Sequence, residues 1–242
     1  LPPQHPPPRD GPKRMIASPL PQNLGTGILH LGLGAFHRAH QAAFTQDAIA
    51  AAGGDWGIEA VSMRNPALAQ TLTAQGCRYG LIERHPQGPT LQEMTVIRRA
   101  HVLPGHADQI ADRMADANIH VVTITVTEKG YGADIGTATL DRADPAVAHD
   151  LAHPDSAPRS LVGLLCRGLS KRRAAGLGGL SILSCDNLSE NGHVLAAITL
   201  EFARATATRT DTDTDLAGWI ARECRFPCSM VDRITPATTP DT

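Results

Sequence analysis

From residue 28 onward the chain alternates short apolar runs with longer stretches whose apolar positions recur at helical spacing. Ile-Leu-His-Leu at 28–31 predicts a strand, and the Ala-rich stretch 36–52, stopped by Gly53-Gly54, predicts a helix. A second strand at 58–63 is closed by Asn65-Pro66, with a helix over 67–74. Two further strands, 78–83 and 91–98, are divided by the turn Pro86-Gln87-Gly88-Pro89. A helix over 107–117 leads to 120–126, the most β-branched run and hence a central strand. Then follow a helix at 160–174, a strand at 180–183, a helix at 192–205 and a shorter one at 215–222. The basic end of 160–174 (Lys171, Arg172, Arg173) suits the negative pole of a helix dipole. Such alternation predicts an α/β fold, a doubly wound and mainly parallel sheet, with 78–98 as an inserted antiparallel hairpin.

Residues 1–20 break this pattern, with prolines at 2, 3, 6, 7, 8, 12 and 19. Each fixes φ and removes a donor, so a disordered leader that neither coils into a helix nor pairs as a strand is expected. The segment has no apolar centre of a signal peptide, and Met15 is a candidate natural start. A net charge of -2 gives no electrostatic basis for nucleic acid or an anionic membrane as partner. No apolar run approaches the ~20 residues that span a bilayer. Aromatic residues are only 3%, so the core must be built from Ala, Leu, Ile and Val. The five cysteines are odd in number and scattered, which points to reduced thiols and a cytoplasmic protein. Cys224 and Cys228 lack a second pair or a nearby histidine to complete a zinc site.

The sharpest local signal is Gly32-Leu33-Gly34-Ala35-Phe36-His37-Arg38-Ala39-His40-Gln41, directly after the first strand. A strand, a glycine turn and a helix start bring a pyrophosphate against backbone N–H groups. Gly32 can take a conformation closed to other residues, and Gly34 puts no side chain between main chain and phosphate. His37 stands where the usual third glycine would be. Gly32, Gly34, Ala35, Phe36 and His37 are thus the candidate cofactor-binding residues of a Rossmann-type domain over 21–236. At the end of the second strand, where an acidic residue usually bonds the adenosine ribose, stands Ser62-Met63-Arg64-Asn65. Arg64 could stack on adenine or accept a 2′-phosphate there; a solvated strand-end arginine is the alternative. Thr127 and Glu128 close the β-branched strand, where open α/β sheets bind ligands.

Several other chemistries fail by spacing. Neither Tyr79 nor Tyr131 has the lysine four residues on that a short-chain dehydrogenase needs; Glu83 and Ile135 stand there. Asp211, Asp213 and Asp215 open like a calcium loop, but Leu216 and Arg222 occupy positions that require Gly and Glu. That segment reads as an acidic surface loop.

Three more motifs follow the glycine turn in order. They are Thr125-Val126-Thr127-Glu128-Lys129-Gly130-Tyr131, Ser184-Cys185-Asp186-Asn187 with Asn191-Gly192, and Phe226-Pro227-Cys228-Ser229-Met230-Val231-Asp232-Arg233-Ile234-Thr235-Pro236. Over about residues 24–242 the chain resembles the long-chain polyol dehydrogenases, the mannitol 2-dehydrogenases and fructuronate reductases. Lys129 and the Phe-Pro-Cys-Ser-Met-Val-Asp-Arg segment are more similar to the fructuronate reductases. The resemblance implies hydride transfer between NAD(H), with NADP open, and a sugar acid or polyol. Fructuronate and D-mannonate, in hexuronate breakdown, are favoured. Mannitol 2-dehydrogenase activity and a non-catalytic dinucleotide-binding module are the alternatives.

By the same resemblance Asn187 is a candidate for catalysis as well as cofactor contact, donating to the oxygen on which alkoxide charge develops. An Asx-turn role is its alternative. Asp186 and Asn191 are expected to shape that loop, and Lys129 either meets a substrate carboxylate or is solvated. Asp232 is a candidate catalytic residue; with Arg233 it would line the pocket or brace a domain interface. His37 and His40 belong to the nucleotide turn, so no metal is implied. In the family the last motif leads into a helical second domain carrying a catalytic lysine, an asparagine and a histidine. The resemblance therefore implies that this C-terminal domain is absent here, that 237–242 is its stub, and that the chain alone does not turn over.

Overall fold

The computed structural model describes residues 15–207 and 215–235. The expected leader up to residue 14, the acidic loop with Asp211 and Asp213, and the stub 237–242 lie outside the described residues. The described strands are β1 (Met15–Ile16), β2 (Thr26–Leu31), β3 (Gly57–Ser62), β4 (Tyr79–His85), β5 (Gly88–Met94) and β6 (Ile97–Val102). They continue with β7 (Val121–Ile124), the short pair β8 (Ala133–Asp134) and β9 (Thr139–Leu140), and β10 (Ser181–Ser184). The main sheet has the order β10-β7-β2-β3-β6, and every neighbouring pair is parallel. Order therefore reverses between β2 and β7, the place where doubly wound sheets bind ligands. Arg225 adds a single parallel bridge beyond β10, with its N–H on Leu180 O at 3.0 Å and its carbonyl accepting from Ile182 N at 2.8 Å.

Helices cover both faces, as continuous apolar strands require. They are α1 (Ala35–Ala39), α2 (Gln41–Ala52), α3 (Pro66–Ala74), α4 (Ala107–Met114), α5 (Pro145–Ala152), α6 (Leu161–Ala174), α7 (Asn191–Ala207) and α8 (Leu216–Glu223). One apolar cluster joins Ile28, Ile58 and Ile97 to Ala42 and Ile49 of α2 and Leu72 of α3. The other joins Leu29, Val61 and Val122 to α4, α6, α7 and α8.

Glu59 sits fully buried within β3. Burial would raise its pKa, but hydrogen bonds from His101 and Arg113 and the charges of Arg113 and Arg99 outweigh that and bring it to about 2. Arg99 Nη1 lies 2.6 Å away, His101 Nε2 2.9 Å and Arg113 Nη2 2.8 Å. This carboxylate braces the sheet from the strand's N-terminal half, so it is not the ribose acid of a dinucleotide site.

Five elements depart from the sequence expectation. Met15 and Ile16, expected in the unpaired leader, pair in parallel with Leu91 and Gln92 of β5. No proline stands between Pro12 and Pro19, so backbone donors are free to join the edge. The run 91–98 is two strands: β5 closes the hairpin on β4, while β6 begins at Ile97 and joins the parallel sheet. Apolar residues continue through the change of sheet, which hides it from periodicity. The helix expected over 36–52 is divided at His40 (φ -119°, ψ -76°). Finally, β7 ends at Ile124, and α5 was not anticipated, although Asp144-Pro145 is a helix-start signature.

Candidate nucleotide-binding site

The glycine turn is held from both sides. Gly32 N and Leu33 N donate to Val61 O at 3.0 and 2.9 Å, tying the turn to the end of β3. On the other side Thr125 Oγ1 donates to Gly32 O at 2.7 Å. Gly32 has φ +117°, and a Cβ there would run into the Thr125 carbonyl, so only glycine fits. Gly34 differs. Its backbone is extended (φ -138°, ψ -176°), and a Cβ would meet nothing nearer than Gly32 O at 3.6 Å.

The first hydrogen bond of α1 runs from Arg38 N to Gly34 O at 3.2 Å. The N–H groups of residues 34–37 therefore find no backbone acceptor among the described residues. These free donors beside an open Cβ position at Gly34 fit a phosphate-bearing ligand.

Beneath the turn lies a polar relay that sequence reasoning missed. His37 Nδ1 donates to Gln41 Oε1 at 2.8 Å, and Gln41 Nε2 donates to Thr123 Oγ1 at 2.9 Å. His30 Nδ1 and Thr123 Oγ1 are 2.8 Å apart, and His30 Nε2 lies 3.1 Å from Gly32 O. Because that carbonyl only accepts, His30 carries its proton on Nε2 and receives one from Thr123 on Nδ1. The imidazoles of His30 and His37 stack with centroids 3.5 Å apart. Burial, with a smaller effect from the Arg38 charge, lowers His37 to about 4, and burial lowers His30 well below the ordinary histidine value. The pair is neutral and serves the underside of the turn.

A cleft of about 440 Å³ opens at the C-terminal ends of β2, β3 and β7. It gathers Gly32, Gly34, Arg64 and Thr127 from the expected set, together with Lys129 and Arg159. Arg159 went unnoticed in the sequence because the α5 segment that delivers it was not read as structured. Arg64, Lys129 and Arg159 are exposed, and their side chains have no hydrogen bond or ion pair among the described residues. Asp144, the one carboxylate lining the cleft among the described residues, accepts from Ala146 N and Val147 N and so caps α5.

The remaining expected residues stand elsewhere. His37 is fully buried, so it can offer a ligand only its backbone N–H. Phe36 lines an apolar groove of about 560 Å³ with Phe44, Trp56, Cys185, Met230 and Val231. Glu128 is exposed in a 3₁₀ turn (Glu128–Tyr131) and does not line the cleft. Asn187 and Asp232 are exposed, with no side-chain hydrogen bond among the described residues, and lie outside the cleft lining.

Three of the four motifs are nevertheless bound to one another. The Tyr131 hydroxyl donates to Asp186 and contacts Ser184 Oγ. Burial, then the Asp186 carboxylate, raises this phenol well above its ordinary pKa, so it stays protonated. Asn191 Nδ2 donates to Asp186 Oδ1 at 2.9 Å, and its Oδ1 accepts from Ser229 N at 2.9 Å. At Gly192 a Cβ would collide with the Phe226-Pro227 backbone, 2.7 Å from the Pro227 carbonyl carbon. Asp186 and Asn191 thus fasten the loop that presents Asn187.

The model of the mannitol dehydrogenase Rossmann domain matches residues 26–242. D-mannonate oxidoreductase of Escherichia coli is 39% identical over 223 residues, covering 90% of this chain and 44% of that protein. Mannitol 2-dehydrogenase of Cereibacter sphaeroides is 38% identical over 222 residues, again covering 90% and 44%. The structure of Pseudomonas fluorescens mannitol 2-dehydrogenase in ternary complex with NAD and D-mannitol superposes with a TM-score of 0.85 at 33% identity, covering 94% of this chain and 46% of that one. The chain therefore spans less than half the length of the curated relatives it matches. On the order of its sheet, its glycine turn and these matches, the chain belongs to the mannitol dehydrogenase family, whose Rossmann domain it forms.

Proposed function

We propose that the chain is the nucleotide-binding half of an oxidoreductase that transfers hydride between NAD(H) and a sugar acid or polyol. The pair we favour is D-mannonate and fructuronate. The observation that carries this reading is the tethered glycine turn, opening into a cleft with three cations unpaired among the described residues. The free N–H groups of residues 34–37 and the bare Gly34 would hold the pyrophosphate, with Arg64 toward the adenosine end. A bound nicotinamide supplies or accepts the hydride. Asn187, whose amide is uncommitted among the described residues, would donate to the substrate oxygen as alkoxide charge develops. Lys129 would meet the carboxylate of a sugar acid. Asp232 would line the substrate side where the chain leaves α8. The proton of the alcohol needs a base outside these residues, from the additional length that the relatives carry. Five unpaired cysteines suit a reducing cytoplasm.

A second reading, mannitol and fructose as the pair, draws support from the nearly equal identity to a mannitol 2-dehydrogenase. The test is a calorimetric titration of this chain with NADH, beside nicotinamide-absorbance assays with D-mannonate and D-mannitol. We expect binding without turnover by residues 1–242 alone. Turnover of D-mannonate, with contaminating enzyme excluded, would refute the need for a base from elsewhere. Absence of NADH binding would refute the dinucleotide reading, leaving a module of another kind. In the protein extended to the relatives' length, oxidation of D-mannitol but not D-mannonate would select the second reading.

A further inference from the structure

Every side chain at the end of β3 is accounted for except one. Ser62 Oγ donates to Asn65 O at 2.5 Å, closing the turn. Asn65 Oδ1 accepts from Ala67 N at 2.9 Å and caps α3. Met63 packs against the apolar cluster beneath α4 and α6. Arg64 alone is left over, exposed, lining the cleft and unpaired among the described residues. The carboxylate of β3, Glu59, is fully buried under Arg99, His101 and Arg113 and cannot reach this end. Asp144, the other carboxylate at the cleft, is committed to two backbone N–H groups.

Discrimination between the two nicotinamide dinucleotides is made where the adenosine ribose rests, at the end of the second strand. A carboxylate there accepts from the 2′-hydroxyl and repels a 2′-phosphate. A guanidinium offers two parallel N–H donors that match phosphate geometry. This strand end presents the guanidinium and no free carboxylate.

Resting on the dinucleotide reading above, we infer that the cleft does not exclude a 2′-phosphate. It binds NADP(H) at least as tightly as NAD(H), and Arg64 is the residue responsible. Lys129 and Arg159 add to the positive field of the same cleft, whereas Asp144 is the sole opposing charge among its lining residues. A ligand with one more phosphate therefore meets three cations against one carboxylate, and attraction outweighs repulsion.

The test is equilibrium binding of NADH and NADPH to this chain, by fluorescence or calorimetry, for the parent and for Arg64→Ala and Arg64→Lys. NADPH is expected to bind the parent at least as tightly as NADH. Arg64→Ala should weaken NADPH by roughly tenfold or more while changing NADH by less than about threefold. Arg64→Lys should recover part of that loss, as a point charge without the fork. The NADPH advantage should also shrink below about pH 6, where the 2′-phosphate dianion takes up a proton and becomes a monoanion while arginine stays charged. NADPH binding the parent far more weakly than NADH would overturn the inference and leave the dinucleotide site standing. An equal effect of Arg64→Ala on both ligands would do the same. If neither binds, the dinucleotide reading falls first and the inference with it.

Discussion

Replacing Gly34 by valine separates ligand binding from folding, because the two demands on that position differ. In the free protein the residue is extended (φ -138°, ψ -176°), a region that β-branched side chains favour. Its Cβ would make one ordinary contact, with Gly32 O at 3.6 Å. The poorer N-cap and the less flexible unfolded chain act in opposite directions, each by about 0.5–1 kcal/mol. Net stability should stay within about 1 kcal/mol, or roughly 2–4 °C in Tm for a chain of this length. Binding is another matter. The new methyl groups stand where a phosphate must approach the N–H groups of residues 34–37. Losing two charge-assisted hydrogen bonds of ~1.5 kcal/mol each weakens NADH by about two orders of magnitude. Gly32→Ala provides the contrast, since its Cβ collides with the Thr125 carbonyl and folding itself should fail. The assay is NADH affinity by calorimetry beside a thermal melt. A folded Gly34→Val with the parent's affinity would show that the pyrophosphate does not rest on this turn.

Two further outcomes follow from the surroundings of that turn. In the protein extended to the length of its relatives, Asn187→Ala should lower the hydride-transfer rate by roughly 10²–10³ with little change in NADH affinity or Tm. Asn187→Asp should be at least as damaging, since a carboxylate repels the forming alkoxide. Single-turnover kinetics would measure both, and a normal rate with weakened NADH binding would make Asn187 a cofactor contact or loop residue instead. His37 is held neutral at about 4 against an ordinary 6.5, so the unfolded chain binds the proton first as pH falls. Stability is then fully present above pH 6.5 and erodes toward pH 4, by about 3 kcal/mol in all. Urea unfolding at pH 7 and pH 5 checks this, and equal stabilities would mean that the stacked pair is not buried and neutral.

What the sequence determined alone was whatever depends on neighbouring residues. The strand and glycine turn at 28–34 were legible because a turn is set by backbone conformations a few residues long. The parallel α/β class was legible because buried strands and amphipathic helices differ in period. The Ser-Cys-Asp-Asn and Asn-Gly pieces could be read as loop-shaping because Asp and Asn bond nearby backbone.

Tertiary structure decided everything that depends on which side of an element meets what. His37 falls in the glycine turn yet turns inward to stack on His30, a pairing across two elements that no spacing encodes. The residues from Leu91 to Val102 look uniform as a string but serve two sheets, because a strand's partner is chosen by distant chain. Met15 and Ile16 gain an edge only because β5 leaves one unpaired. Arg159 reaches the cleft with Arg64 and Lys129 through the connection between α5 and α6, where its backbone N–H is held by Asp150, not through proximity in the chain. Charge in a cleft is a sum over segments far apart in sequence. The free cations that single out this site could therefore be counted only once the fold had brought them together and committed Asp144 and Glu59 elsewhere.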